Sequence, residues 1–428
     1  MTIVKYLLAA FFLCLFYRSV VAWFLRKFDD FVYLIQQNFV VCPRCHKRLK
    51  RVYFKCPGCN RVYTDLFPAP TRLFHTTCVC GRRLATTRLL GRTRYEAFCP
   101  ACMSPLGANA SEGQVVAFPI AGGRSAGKTA FLMAGIEELT STVPDKFGWR
   151  PSFPYQDDVF FARKLHRNFM NGIKPDQTHI QVPSAFCIDY RTGFLSESKR
   201  LCIYDPSGET FSSDYEKLKK QTYYNFMAGL IFVVDPFALP KLRRAYSKQI
   251  QSAEELNASE ADPEECLQRL LNRLATTGRD EDFFLRDKKQ IPCAVILTKA
   301  DALDMERYIG DEAIKNFLAK RKGYRYDEAM DQVCRYWIQK WGGYNILAEL
   351  DDQFGRVRCF SVSSLGKRRE GQEGAFEPER VDLPFKWLFK TACPKQMNKF
   401  GLTLFLLCVV VVPLTSLIVW IIKLANAT

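Results

Sequence analysis

The stretch "AGGRSAGKTAFL", residues 121–132, decides how this chain of 428 residues folds. It matches the pattern G-x-x-x-x-G-K-[ST] and follows the apolar run "GQVVAFPI" at 113–120. A glycine-rich turn between a strand and a helix directs backbone N–H groups inward, where they bind phosphate. The sequence therefore predicts a phosphate-binding loop, the alternative being an ordinary turn, formed by Gly122, Gly123, Arg124, Ser125, Ala126, Gly127, Lys128 and Thr129.

A second motif adds the expected contacts with Mg²⁺ and the terminal phosphate. In the loop, Lys128 would reach the β- and γ-phosphates of a nucleoside triphosphate, and the Thr129 hydroxyl would bind Mg²⁺. The strand-like run "KRLCIYDPSGE" at 199–209 ends in D-x-x-G. There the carboxylate of Asp205 would hold Mg²⁺ through water, and the N–H of Gly208 would meet the γ-phosphate.

Two later strand ends predict recognition of guanine. The run "IPCAVILTKAD" at 291–301 ends in Thr298, Lys299, Ala300 and Asp301. The Asp301 carboxylate would accept hydrogen bonds from the N1–H and the 2-amino group of guanine, which adenine lacks. The alternative is that this motif only caps the following helix. In "VRCFSVSSLG" at 357–366, a backbone N–H would reach the guanine O6 from the group Ser363, Ser364 and Leu365.

Four motifs in this order resemble the translation-factor-related class of P-loop GTPases, which includes the Ras-like proteins. The resemblance covers residues 114–392. More narrowly, "GGRSAGKT" together with "YDPSGE" is similar to bacterial "double-GTPase" families of conflict or defence systems. The class implies an α/β fold with a mostly parallel six-stranded sheet and helices on both faces. It also implies GTP and Mg²⁺ at the strand ends, and loops that switch with the nucleotide.

Three positions depart from the Ras-like pattern. Thr178 is the candidate for the switch threonine, although an ordinary loop threonine is an equal alternative. Glu209 stands where Ras-like proteins carry a water-orienting glutamine, so we expect slow intrinsic hydrolysis. Arg124 stands where they have glycine, and it either faces the phosphates or points into solvent. The expected catalytic residues are Lys128, Thr178 and Glu209.

Eight of the seventeen cysteines fall in close pairs between residues 42 and 102. Paired cysteines at a hairpin-length spacing are typical of zinc ribbons, in which four thiolates surround one ion. We expect two structural zinc ions and group the ligands in chain order. The first site would be Cys42, Cys45, Cys56 and Cys59, and the second Cys78, Cys80, Cys99 and Cys102, with His75 as an alternative ligand for the second. Four other cysteines lie singly in apolar runs and are expected in the core: Cys187, Cys202, Cys293 and Cys359.

Both ends of the chain carry candidate membrane segments. The run at 400–422 has no charged residue and is long enough to span a bilayer. The run at 3–25 contains Lys5 and Arg18, which disfavour insertion, but its other residues are mostly apolar. A spanning helix is therefore favoured over an interfacial helix or a cleaved signal peptide. Because basic residues flank the inner ends of both runs, we expect the intervening residues to face the cytosol.

These features give an expected order of segments along the chain. A membrane helix and linker (1–41) precede a double zinc-ribbon module (42–107), a GTPase domain (108–394) and a transmembrane helix (395–428). The formal net charge is +17. The zinc module holds thirteen Lys and Arg against Asp65 and Glu96, an excess of eleven. An excess of this size indicates an anionic partner.

The favoured function is that of a membrane-tethered GTP switch whose zinc module senses or relays a signal. Its expected partners are GTP or GDP, membrane lipids and a protein effector that the sequence does not identify. Two alternatives remain at this stage. One is a membrane-remodelling GTPase. The other is a zinc-ribbon protein that binds nucleic acid under nucleotide control, which is not favoured.

Overall fold

The structure of the chain is a computed structural model. It describes residues 2–35, 40–45, 47–49, 51–88, 90–107, 114–141, 150–174, 185–191, 199–204, 221–252, 256–276, 291–366 and 374–392. Several predicted elements lie outside these residues, namely the switch threonine, the D-x-x-G motif with the residue after it, and the C-terminal apolar run: Thr178, Asp205, Gly208, Glu209 and 400–422.

The first part of the chain is a long helix followed by small hairpins. Helix α1 covers Thr2–Ile35. Four antiparallel hairpins follow it, and each carries one of the cysteine pairs at its turn. Their strands are β1 (Val40–Val41), β2 (Arg48–Leu49), β3 (Tyr53–Lys55), β4 (Val62–Tyr63), β5 (His75–Thr77), β6 (Arg83–Ala85), β7 (Ala97–Phe98) and β8 (Pro105–Gly107).

The second and fourth hairpins pair with each other, although the third hairpin lies between them in the sequence. Strand β3 pairs with β7, where Tyr53 lies opposite Phe98, so the second and fourth hairpins form one sheet in the order β4-β3-β7-β8. This pairing joins residues more than 40 positions apart. A short-range reading of the sequence therefore could not anticipate it.

The rest of the chain is built on a seven-stranded sheet. Its strands are β9 (Gln114–Ala121), β10 (Arg150–Ser152), β11 (Phe186–Arg191), β12 (Lys199–Tyr204), β13 (Leu230–Val234), β14 (Pro292–Leu297) and β15 (Arg356–Ser361). The order is β10-β11-β12-β9-β13-β14-β15. The five strands from β12 to β15 in this order are parallel, and β10 and β11 join by antiparallel pairing. The expected count of six is therefore wrong by one, because the short strand β10 extends the edge.

Helices pack around this sheet and bury its central strands. They are α2 (Lys128–Thr140), α3 (Gln156–Met170), α4 (Pro240–Ala245), α5 (Ser247–Ser252), α6 (Pro263–Thr276), α7 (Met305–Ile309), α8 (Asp311–Lys320), α9 (Tyr326–Lys340), α10 (Tyr344–Gln353) and α11 (Asp382–Ala392). Every residue of β13 and β14 is buried, as expected for parallel strands covered on both faces. The four single cysteines predicted in the core are buried there.

Helix α1 packs on the hairpin region. The Nε of Arg18 donates to the carbonyl of Pro70 at 2.6 Å, and the Nε of Arg26 donates to that of Pro68 at 2.5 Å. Asp29 and Arg92 form an ion pair at 2.9 Å with both side chains buried. Among the helices of the described residues, none is long and apolar enough to cross a membrane. The predicted N-terminal span therefore gains no support from the structure.

Candidate functional site

The predicted phosphate loop lies between β9 and α2, at the carboxyl end of a central parallel strand. Gly122 and Gly127 have positive φ angles of 150° and 88°, and Ser125 has one of 57°. A Cβ on Gly122 would lie 2.5 Å from the carbonyl oxygen of Val233 in β13. Because the backbone of β13 cannot give way, this position requires glycine.

Lys128 is buried and turns back over its own loop. Its Nζ donates to the carbonyls of Gly122 at 3.0 Å and Gly123 at 2.6 Å. The ammonium is therefore held within the curve of the loop, at the N-terminus of α2. Arg124, by contrast, has an exposed position in the loop.

The predicted guanine motif lies against the same loop. The Oγ1 of Thr298 donates to the Ala126 carbonyl at 2.8 Å, and the Nζ of Lys299 donates to the Ser125 carbonyl at 3.1 Å. These residues are separated by more than 170 positions in the sequence. They meet because β9 and β14 flank β13 in a parallel sheet, so that the carboxyl ends of all three strands share one edge.

The loops after β14 and β15 are also joined. The N–H of Ala300 donates to the Val362 carbonyl at 3.2 Å, immediately before Ser363. The Ser363 Oγ accepts from the N–H of Gly366 at 2.9 Å, which fixes the turn containing Ser364 and Leu365. Asp301, the residue after Ala300, is partly exposed. Within the described residues, the buried Oγ of Ser364 has no hydrogen-bond partner.

Sequence reasoning missed Asp235, which follows β13. Its carboxylate is buried and accepts from the N–H of Phe237 at 2.9 Å, the N–H of Ser259 at 2.7 Å and the Nζ of Lys299 at 2.7 Å. The available signal was an acidic residue at the end of an entirely apolar strand. A carboxylate in that position requires buried partners.

The eight paired cysteines form two groups of four, as expected, but the expected grouping is wrong. One group is Cys42, Cys45, Cys99 and Cys102, and the other is Cys56, Cys59, Cys78 and Cys80. The first cysteine pair therefore meets the fourth, and the second meets the third. Because β3 and β7 pair antiparallel, the turns of the second and fourth hairpins lie at opposite ends of their sheet and contribute to different groups.

The distances within both groups suit a tetrahedral metal ion. In one group the Sγ atoms of Cys42 and Cys102 are 3.5 Å apart, and those of Cys45 and Cys99 are 3.7 Å apart. Zinc bound to four thiolates at about 2.3 Å would hold neighbouring sulfurs about 3.8 Å apart. In the other group the distances are 3.7 Å for Cys56–Cys80 and 3.4 Å for Cys59–Cys78.

Backbone donors support one sulfur in each group. The N–H of Gly58 points to the Sγ of Cys56 at 3.4 Å, and the N–H of Ala101 points to that of Cys99 at 3.3 Å. Such donors stabilise thiolate over thiol, the form that binds metal. His75 is exposed on β5 and belongs to neither group, so the alternative ligand is not used.

Comparisons with known proteins add little. No family model and no curated protein matches the chain. The chain is similar to the structure of the Arl6 BBS3 small GTPase from Trypanosoma brucei with bound nucleotide analogue GppNp, at 14% identity and a TM-score of 0.28. The match covers 65% of this chain and 98% of that one. The fold of this chain is defined by its own sheet order and loop geometry.

Proposed function

We propose that the chain is a GTP-binding and GTP-hydrolysing switch protein, tethered to a membrane and carrying a zinc-ribbon module. One observation carries the proposal. Thr298 and Lys299 donate hydrogen bonds to the carbonyls of Ala126 and Ser125 in the loop at 122–129. A motif that suits guanine therefore lies against a loop that suits phosphate, as the binding of one nucleotide requires.

The phosphate side of the site would act mainly through charge and position. Lys128 is poised at the N-terminus of α2, where its ammonium can move from loop carbonyls to phosphate oxygens. Thr129 and Asp205 would hold Mg²⁺, which neutralises charge on the phosphates when bound. Gly208 and Thr178 would meet the γ-phosphate in the proposed switch loops.

The hydrolysis step depends on the residue after the D-x-x-G motif. Glu209 would place a carboxylate close to the γ-phosphate, where a Ras-like protein has a neutral amide. Like-charge repulsion would slow the reaction, so we propose slow intrinsic turnover. Faster single-turnover hydrolysis by Glu209→Gln supports this role, whereas near-complete loss makes Glu209 a general base.

The base side of the site would determine specificity. Asp301 would accept a bidentate, charge-assisted pair of hydrogen bonds from guanine. Backbone N–H groups near Ser363, Ser364 and Leu365 would approach the guanine O6, since their turn lies beside the loop after β14. ATP would leave the carboxylate without its two donors.

The hairpin region and the apolar run at 400–422 would connect the nucleotide site to the membrane and to a protein effector. The two cysteine groups would bind one structural zinc each, and the apolar run at 400–422 would anchor the chain with its other parts in the cytosol. The basic hairpin region would then lie close to acidic lipid headgroups. In this proposal the module receives or relays a signal for a protein effector, in keeping with the resemblance to defence-system families.

A nucleotide titration tests the proposal. Wild-type protein should bind GTP about a thousandfold more tightly than ATP, the difference expected when the bound base covers the Asp301 carboxylate without supplying its two donors. Asp301→Asn should lose GTP and gain XTP, because xanthine has a carbonyl where guanine has the amino group. Asp304→Asn, in the exposed part of the same loop, is the matched control and should leave base preference unchanged. Equal binding of ATP and GTP by the wild type would overturn the guanine assignment.

A further inference from the structure

A segment outside all four predicted motifs lies against the phosphate loop. We name residues 256–262, which precede α6, the clamp segment. The Oγ of Ser259 donates to the carbonyl of Arg124 at 2.6 Å. The carbonyl of Asn257 accepts from the Nζ of Lys299 at 2.8 Å. The clamp segment therefore binds the loop directly and also through Lys299.

The contact is close enough to constrain the loop sequence. A Cβ on Gly123 would lie 2.7 Å from the Cβ of Ala261 and 3.2 Å from the Oγ of Ser259. The second glycine of the loop thus makes room for the clamp segment. Asp235 holds the backbone of the clamp segment in place, because its carboxylate accepts a hydrogen bond from the N–H of Ser259 at 2.7 Å.

Together these contacts hold three consecutive loop carbonyls. Those of Arg124, Ser125 and Ala126 accept from Ser259, Lys299 and Thr298 respectively. In a planar trans peptide the carbonyl and the next N–H point in opposite directions. No peptide bond in the described part of the chain is cis.

The orientation of the N–H groups follows from this geometry. The N–H groups of Ser125, Ala126 and Gly127 must point away from the side chains that hold the carbonyls. The Ala126 N–H also makes a long turn contact of 3.4 Å with the Gly123 carbonyl. Consecutive N–H groups on one side of a loop form an anion-binding concavity. The clamp segment supplies one of the three contacts through Ser259 and supports a second, because the Asn257 carbonyl also accepts from Lys299.

We propose that Ser259 is a positioning residue for phosphate binding, and that the clamp segment sets the affinity of the loop for the β-phosphate of a nucleoside diphosphate. The inference rests on the proposed function, since it assumes that the loop binds a guanine nucleotide. Ser259 would thus influence phosphate affinity although it lies outside the loop motif at 122–129. The effect should fall on the diphosphate and not on the base, which would bind at the ends of β14 and β15.

The test compares GDP with GMP on Ser259→Ala in the full-length, zinc-loaded chain. Alanine keeps the backbone N–H that donates to Asp235 and loses only the hydroxyl, with its 2.6 Å hydrogen bond to the Arg124 carbonyl and its long 3.5 Å contact with the Ala261 carbonyl. GDP affinity, measured by calorimetry, should fall about fivefold, the factor for one lost hydrogen bond. GMP affinity, measured by ligand-observed NMR, should stay within the error of the wild type. Ser247→Ala, an exposed serine at the start of α5, is the matched control and should change neither.

Each other outcome has a distinct meaning. Unchanged GDP affinity in Ser259→Ala overturns the positioning role while leaving the proposed function standing. An equal loss for GDP and GMP also overturns it, because general loosening of the domain would weaken both ligands. If the wild type binds neither GDP nor GMP, the proposed function fails and the inference fails with it.

Discussion

Arg200 donates a hydrogen bond from its guanidinium to the carbonyl of Leu106 at 2.5 Å. Leu106 lies on β8, the last strand of the hairpin region with the cysteine groups, and Arg200 lies on β12, whose last residue immediately precedes Asp205. The guanidinium also pairs with Asp189 on β11 at 2.6 and 2.8 Å. Burial alone would lower the pKa of Arg200, but the hydrogen bonds and charge of Asp189 raise it above its ordinary value. One buried cation therefore joins the hairpin region to the strand that leads into the proposed switch.

Removing this cation should destabilise the chain strongly. Arg200→Ala leaves the Asp189 carboxylate, which is mostly buried, without its partner. We expect a loss of about 3–5 kcal/mol in the free energy of unfolding, measured by urea denaturation. Arg269→Ala removes a largely exposed pair with Glu265 and is the control, with an expected change below about 1 kcal/mol. A loss at Arg200 no larger than that of the control would contradict the proposed role of this ion pair.

The order of the cysteine ligands can be tested by counting zinc in double variants. In the nested arrangement Cys42 and Cys99 belong to one group, so Cys42→Ser with Cys99→Ser should keep about one zinc per chain. Cys42→Ser with Cys56→Ser should lose both ions, because it damages both groups. Ligands grouped in chain order give the opposite result for the two variants. Metal analysis of intact, reduced protein distinguishes them, and wild-type protein with less than one zinc would reject both groupings.

The contribution of Lys128 to nucleotide binding is a separate test. Lys128→Ala removes the cation that lies at the N-terminus of α2, and we expect GTP affinity to fall by about 100-fold or more. Lys315→Ala, an exposed lysine on α8, is the control and should bind GTP normally. Equilibrium titration with a fluorescent GTP analogue measures both. Unchanged affinity in Lys128→Ala would show that the loop at 122–129 is only a turn.

How far the sequence predicts the structure depends on whether the pattern is local. The loop at 122–129 is local, because glycine at fixed spacing after an apolar strand encodes its turn. Parallel strands then bring their carboxyl ends to one edge, which is why Thr298 could be expected near the loop before any contact was known. The buried positions of Cys293 and Cys359 follow from the same apolar strands.

The features that could not be predicted depend on long-range pairing. Cysteine spacing encodes four hairpin turns, but which turns meet depends on contacts between distant segments, such as the pairing of Tyr53 with Phe98, which separates the second turn from the fourth. Strand β10 could not be recognised, since a three-residue edge strand with a central proline has no periodicity to detect. Ser259 lies in a polar stretch that resembles any loop, and only its contact with the Arg124 carbonyl distinguishes it.

Stability should also depend on the protonation of Asp158, at the start of α3. Burial, the largest influence, raises the pKa of its carboxyl from 3.8 to about 7, although the N–H of Cys187 opposes the shift by donating to it at 3.4 Å. Between about pH 4 and pH 7 the folded chain therefore keeps a proton that the unfolded chain has released. The contribution of this group to the free energy of unfolding is therefore greatest below about pH 4. It is lost progressively as the pH rises toward 7.

Asp158→Asn removes the titration while keeping an acceptor for the N–H of Cys187. Its stability relative to the wild type should therefore improve from pH 5 to pH 8 by roughly 3 kcal/mol, since each of the two units between pH 5 and the folded pKa corresponds to about 1.4 kcal/mol. Urea denaturation of both proteins at each pH isolates this difference from proton effects at the cysteines, which both proteins share. Asp304→Asn, at an exposed position before α7 and away from Asp158, should follow the wild type at every pH. If the free energy of unfolding depends on pH in the same way for Asp158→Asn and the wild type, the Asp158 carboxyl titrates alike in the folded and unfolded chains.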